Sequence, residues 1–252
     1  DSGSIKIYNK IGLDWILDQT IYSGGWNFGS SVDISGDGKT VVGANIGSSV
    51  MPYVSVFRKG SSDNETWIKM GDDILIDTTG HPPSGSYSLQ HQVSISYDGN
   101  IVAISVPGSN GGIGEVLAYQ WIENSWIKIS ENINGDDIDD FFGKWRQLDM
   151  SGDGTTIIAG STQQEVMGEK KGGYIKVFKK NNLNEWMQIG QTIYGAEMDY
   201  LGKSVSLNHD GSIGGSLPPC AVAEDWQTCA AKKDKQKKQH PMQDQNKHHG
   251  VK

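Results

Sequence analysis

Four carboxylates crowd into five positions in Gly135-Asp136-Asp137-Ile138-Asp139-Asp140-Phe141. Like charges at that density repel one another unless a cation or a basic group is near. Asp136, Asp137, Asp139 and Asp140 are therefore the metal candidates, and calcium, which takes about six to eight oxygen ligands, is the cation they would suit. The competing reading is a solvated loop that binds nothing. Two further runs, Asp33-x-Ser35-x-Asp37-Gly38 and Asp149-x-Ser151-x-Asp153-Gly154, alternate oxygen donors in the same spirit. Neither has a glutamate placed as a late bidentate ligand. The intervening Val32, Ile34, Leu148 and Met150 also put these runs in strands, which makes Asp37 and Asp153 hairpin-turn residues.

Other chemistry is sparse. The histidines His81, His91, His209, His240, His248 and His249 are scattered, and no nucleophile elbow, phosphate loop or His-Glu-x-x-His run occurs. No catalytic residue is assigned. Paired carboxylates can hydrolyse glycosides, but only at separations that a sequence does not reveal.

The elements that would position these residues repeat. Ser31-Val-Asp-Ile-Ser-Gly-Asp-Gly38 returns as Gln92–Gly99, Gln147–Gly154 and Ser204–Gly211, with the Asp-Gly pairs 61, 55 and 57 residues apart. Within the phrase apolar and polar residues alternate, the period of a strand with one buried face: Val32 and Ile34 on the core side, Ser31, Asp33 and Ser35 opposite. A second strand follows (Thr40–Ala44, Asn100–Ile104, Thr156–Gly160). A third ends on an aromatic (Ser4–Tyr8, Tyr53–Phe57, Glu115–Tyr119, Tyr174–Phe178), and a fourth begins at Trp15, Trp67, Trp126 or Trp186. Each tryptophan is large enough to fill the gap between neighbouring sheets. The handover to the next unit places an apolar residue before glycine, at Phe28-Gly29, Phe142-Gly143 and Leu201-Gly202, and departs from that pattern at Ser84–Gln90.

Four short antiparallel strands per unit predict an all-β fold, a β-propeller of four-stranded blades. Complete blades fall at about 29–75, 90–133 and 143–193. The N-terminal third and fourth strands and the C-terminal first and second strands would complete a fourth blade and remove two exposed edges. The alternative is an arc of a larger ring, because Ser212-Ile-Gly-Gly-Ser-Leu-Pro218-Pro219 suits a central strand poorly.

With Phe28-Gly29, Phe142-Gly143, the Ser-Val-Asp-Ile-Ser-Gly-Asp-Gly run, Val42-Gly43-Ala44 and Ala159-Gly160-Ser161, residues 2–211 resemble FG-GAP repeats, the blades of the integrin α-subunit propeller and related extracellular proteins. The resemblance implies a secreted or cell-surface propeller that binds proteins or glycans through loops at one end. Integrin propellers have seven blades, and this chain lacks the proline after Gly-Ala that gives the repeat its name.

Composition bounds the partners. The net charge is −8, yet the segment from Lys232 to Lys252 carries +5, leaving −13 on the rest. An acidic body argues against nucleic-acid binding. No run of about 18 apolar residues exists, so no membrane-spanning helix is expected. The propeller domain is placed at 1–215, with a Cys-containing linker and a basic, disordered tail at 216–252. Cys220 and Cys229 would close a small loop in an oxidising compartment, and Asn64-Glu65-Thr66 is a glycosylation sequon.

Three functions are compatible: a non-catalytic recognition module binding protein or carbohydrate through loops 45–52, 105–114 and 161–173; a glycan hydrolase using loop carboxylates; and a structural subunit of a larger assembly. The first is favoured, because rigid repeated strands beside unequal loops separate scaffold from function.

Overall fold

The computed structural model describes residues 3–24, 26–46, 51–61, 66–77, 91–131, 133–144, 146–162, 165–166, 169–170, 172–196 and 199–216, all in one unit, Asp1–Pro219. Strands β1 (Ser4–Ile11) and β2 (Asp14–Tyr22) pair alone. The first full blade runs β3 (Phe28–Ile34), β4 (Thr40–Asn45), β5 (Tyr53–Lys59), β6 (Trp67–Lys69), with β7 (Ile74–Leu75) also on β5. The second runs β8 (Val93–Ile95), β9 (Ile101–Val106), β10 (Glu115–Ile122), β11 (Ser125–Lys128), with a single helical turn, α1 (Ser109–Gly112), between β9 and β10. In the third, β12 (Leu148–Met150) and β13 (Thr156–Ser161) are followed by a small hairpin of β14 (Glu165–Val166) and β15 (Glu169–Lys170), then β16 (Tyr174–Lys180), β17 (Trp186–Gln188) and β18 (Ile193–Tyr194). Last come β19 (Val205–Leu207) and β20 (Gly214–Ser216), a two-stranded sheet.

The Asp-Gly phrases are hairpin turns. Gly38, Gly99, Gly154 and Gly211 share a φ of 67–69°, the left-handed region that a side chain disfavours. The aspartate before each closes its own turn: Ser35 Oγ and the Lys39 amide donate to Asp37 Oδ1 at 2.6 and 2.9 Å, Ser151 Oγ and the Thr155 amide to Asp153 Oδ1 at 2.5 and 3.0 Å. Asp98 and Asp210 do the same. At Asp98 and Asp153 burial pushes the carboxyl up, but these hydrogen bonds outweigh it and hold both below the usual range.

The core lies between blades. Val42, Val54 and Val56 of the first blade pack with Val93, Ile95 and Val102 of the second; Ala103 and Val116 of the second pack with Leu148, Met150 and Phe178 of the third. Ile5, Ile7 and Ile21 of the β1–β2 pair cover Val41, Phe57 and Trp67. The tryptophans bridge sheets as expected: Trp67 Nε1 donates to Asp18 Oδ2 and Trp126 Nε1 to the Met70 carbonyl, both at 2.9 Å.

The innermost strands are also latched. The third residue of each of the first three phrases reaches the next first strand's backbone: Asp33 Oδ2 accepts from the Ile95 amide at 2.9 Å, Ser94 Oγ from the Met150 amide at 3.3 Å, and Asp149 Oδ2 from the Leu207 amide at 2.7 Å. Ser94 Oγ donates in turn to Asp149 Oδ1 at 3.2 Å.

Two sequence expectations change. The polar face of β3 is not its exposed face: Ser31 and Ser35 are buried against the second blade, whereas Val32 and Ile34 are 52% and 51% exposed. Their counterparts Val93, Ile95, Leu148 and Met150 are all buried. Nor does hydrogen bonding join β1–β2 to β19–β20. Gly214 and Gly215 stand where the other blades have Val41-Val42 or Ile157-Ile158, so β20 brings almost no apolar side chain to a fourth sheet. Among the described strands, β1–β2 and β19–β20 stay separate two-stranded sheets.

Candidate functional site

The first strand of each blade runs towards its Asp-Gly turn, so the handover loops and the loops between second and third strands share the opposite end. At the handover from the second blade to the third, Gly143 takes φ 82°, and a Cβ there would meet Ser105 Cβ at 2.6 Å. Phe142 before it is fully buried and stacks on Tyr174 with ring centroids 5.9 Å apart.

The acidic run is built into this loop. Asp140 is buried, and its Oδ2 accepts from the amides of Asp136 and Asp137 at 3.0 and 2.9 Å and from the Tyr174 hydroxyl at 2.6 Å. Its carbonyl accepts from Ser161 Oγ at 2.6 Å, and its Oδ1 is buried with no hydrogen-bond partner. Burial and then the bond to Asp140 push the Tyr174 phenol far above its ordinary value, so it stays a donor. Asp136 Oδ1 pairs with Lys176 Nζ at 2.5 Å. That ammonium also donates to the Asn134 carbonyl at 3.2 Å and lies 5.8 and 5.6 Å from the Phe142 and Tyr174 ring centroids. Asp139 takes a left-handed φ of 66°.

The four candidate metal ligands are thus divided between tasks. Among the described residues no group of three or more His, Cys, Asp or Glu side chains is arranged to hold a metal ion. The basic group that such a cluster demands is Lys176, 40 residues further on. Its counterparts in the other third strands are Lys6, Ser55 and Leu117; Lys6 is exposed, so the burial that sets Lys176 apart could not be read from the sequence.

The neighbouring handover loops are pinned in related ways. Asp199 Oδ2 accepts from the Ala196 amide at 2.8 Å, Tyr53 donates its hydroxyl to the Ser23 carbonyl, and Asn27 Nδ2 donates to the Ile46 carbonyl at 3.0 Å. Above these anchors Trp26 is 81% exposed, and Tyr22, Ile138 and Tyr194 are exposed as well. Sequence reasoning missed these tips, because their alternation with glycine reads as turn chemistry.

The remaining expectations fall elsewhere. His209 lies at the opposite end, its ring edge-on to Tyr97 at 5.3 Å beside Gly152. Asn64, Cys220, Cys229, His81 and the basic tail lie outside the described residues, as do parts of loops 45–52 and 161–173. Among the described residues no helix is long and apolar enough to cross a membrane.

No protein-family model matches the chain, and no curated protein matches it by sequence. Solved structures do. A protein described as a 6-phosphogluconolactonase of Bacteroides uniformis is 13% identical, with 84% of this chain covering 57% of that one at a TM-score of 0.54. The periplasmic gluconolactonase of Pseudomonas aeruginosa is 16% identical, with 85% covering 56% at a TM-score of 0.54. The fold is thereby a propeller-type all-β architecture. The chain spans a little over half the length of these similar proteins.

Proposed function

We propose that this chain is a non-catalytic, extracytoplasmic recognition module that binds carbohydrate or protein through its handover-loop face, in the manner implied by its FG-GAP-like repeats. The observation that carries the reading is the pairing of exposed tips with pinned bases. Trp26, Tyr22 and Tyr194 present aromatic surface to solvent from loops anchored by Asp199, Tyr53 and Asn27. Aromatic rings give large contact area and a polar handle at low ordering cost, which is why they are enriched at binding surfaces. Asp136 and Asp140, the strongest chemical candidates, are engaged in holding the neighbouring loop. A glycan microarray probed with the labelled chain tests this. Retention of specific glycans is expected, weakened at least tenfold by Trp26→Ala or Tyr194→Ala. Undiminished retention by both variants would remove these tips from the site.

A second reading, lactone or glycan hydrolysis, draws on the two similar structures, one described as a 6-phosphogluconolactonase and one as a gluconolactonase, and on the partnerless, buried Asp140 Oδ1 beside Tyr174. Turnover of a gluconolactone by the parent chain that disappears in Asp136→Asn and Asp140→Asn would favour it over the non-catalytic reading.

A further inference from the structure

The fourth strand of each full blade carries a tryptophan near its start, and in two joints the indole N–H finds its acceptor at one fixed place. Trp67 Nε1 donates to Asp18 Oδ2 and Trp126 Nε1 to the Met70 carbonyl, both at 2.9 Å. Asp18 and Met70 each stand three residues after the tryptophan of the preceding unit, Trp15 and Trp67. The residue so placed for Trp186 is Ile129, three after Trp126. Its side chain offers no acceptor, and it is half-buried where Met70 is buried. Trp186 is only 6% exposed, and its Nε1 has no hydrogen-bond partner among the described residues. A buried donor in that state costs stability, and its persistence calls for a cause.

A groove lies against this indole. Between the end of β11 and the start of β17 is a cleft of about 600 Å³, compared with about 330 Å³ in the joint where Trp126 has its acceptor. That is the size of a small-molecule site. Ile129, Met187 and Trp186 supply its apolar wall, and Lys128, Glu131 and Asn184 are exposed polar groups around it. The turn that carries Asn184 is fixed: Asn181 Oδ1 accepts from the Leu183 and Glu185 amides at 2.8 and 3.0 Å, and its Nδ2 donates to Glu185 Oε2 at 2.9 Å. β11 and β17 are the last strands of their sheets, so the groove lies on the outer rim, and none of the exposed handover-loop tips lines it.

We propose that this rim groove binds an N-acetylated amino sugar of a glycan. The acetamido carbonyl accepts from Trp186 Nε1, the methyl beside it packs on Ile129 and Met187, and the ring hydroxyls meet Lys128, Glu131 and Asn184. The ligand thereby supplies what this joint lacks and the other two have, an acceptor for the buried indole. An acceptor flanked by a methyl fits a lone donor in an apolar wall, and a polyhydroxylated ring fits the mixed donors and acceptors opposite. The site is separate from the handover-loop face and does not depend on the reading given for it.

Calorimetry of the full chain with N,N′-diacetylchitobiose and with cellobiose, which lacks the acetamido groups, tests this. The first is expected to bind about tenfold tighter or more. It is also expected to shift the Trp186 indole N–H resonance, identified as the one missing from Trp186→Phe. That variant keeps an aromatic ring and removes the donor, and should bring the two sugars within about threefold of each other. Met187 is exposed, so Met187→Asp keeps the fold whether or not Trp186→Phe does; it is expected to weaken diacetylchitobiose binding about tenfold. Trp26→Ala is expected to leave that binding unchanged, and its loss there would move the sugar to the handover loops and overturn the proposal. Equal affinity for the two sugars, binding of neither, or an unmoved indole resonance would overturn it as well. N-acetylglycine methylamide binding as tightly as diacetylchitobiose would overturn the sugar assignment in favour of a peptide.

Discussion

Ile95 and Ile34 hold the same place in successive repeats, and only one of them is buried. Ile95 sits against the first blade, in a joint that also buries Val42, Val54 and Val56. Ile34 is covered by no described strand on that side and keeps about half its surface in water. The polar side repeats the contrast, with Asp149 bonded to the Leu207 amide and Ser206 exposed. Identical local patterns therefore have opposite energetic weight. A propeller blade has no core of its own, and the stabilisation of each strand face is decided by whether a neighbour is present.

The largest effect expected from this contrast is on the apolar side. Ile95→Ala removes fully packed methyl groups and leaves a cavity, a loss of about 3 kcal/mol. Ile34→Ala, in dilute solution, forfeits only partial burial and is expected to cost less than about 1 kcal/mol. Urea unfolding of the two variants checks this. Equal losses would mean that the leading flank is already covered.

These differences mark the limit of what the sequence discloses. The Asp-Gly hairpins are legible because glycine's positive φ and the aspartate's bond two residues on are local facts. The strand order follows, since each turn constrains the next strand. The burial of Val32 is not local: its alternation with Ser31 is the same whether or not strands lie beside β1. The acidic loop fails for the same reason. Asp140 is completed by Tyr174, and Asp136 by Lys176, partners 34 and 40 residues away on a strand that reads as ordinary β pattern. Ring closure likewise depended on side chains that β20 lacks.

The polar latches give the next effect. Asp149→Ala leaves the Leu207 amide and Ser94 Oγ without their acceptor in a partly buried joint, at a cost of about 2 kcal/mol. Ser206→Ala, at the equivalent exposed position, is expected to change stability by less than about 0.5 kcal/mol. Thermal unfolding of both variants measures the difference. A Ser206→Ala loss as large as that of Asp149→Ala would place a partner on the trailing flank.

The smallest expected effect is a pH dependence confined to an internal joint. Burial pushes the Asp33 carboxyl up, and the nearby charge of Asp149 adds to it, against the Ile95 and Ile34 amides that favour the ionised form. A carboxyl raised in the folded state binds its proton there before the unfolded chain does. Its contribution is therefore full below the unfolded value of about 3.9 and is lost as pH rises through the folded value. Asp98 and Asp153, held low in their turns, act oppositely, and their contribution fades as the solution becomes acidic. Asp33→Asn keeps a carbonyl oxygen for the Ile95 amide and removes the titration. Relative to that variant, the parent chain is expected to gain stability as pH falls from about 7 towards 4, with a slope below the one-proton limit of about 1.4 kcal/mol per pH unit. Denaturant unfolding of the pair across that range isolates Asp33, because Asp98 and Asp153 are common to both. A constant difference would show that the Ile95 and Ile34 amides offset the burial of its charge, and that the latched joint differs from the open flank in packing alone.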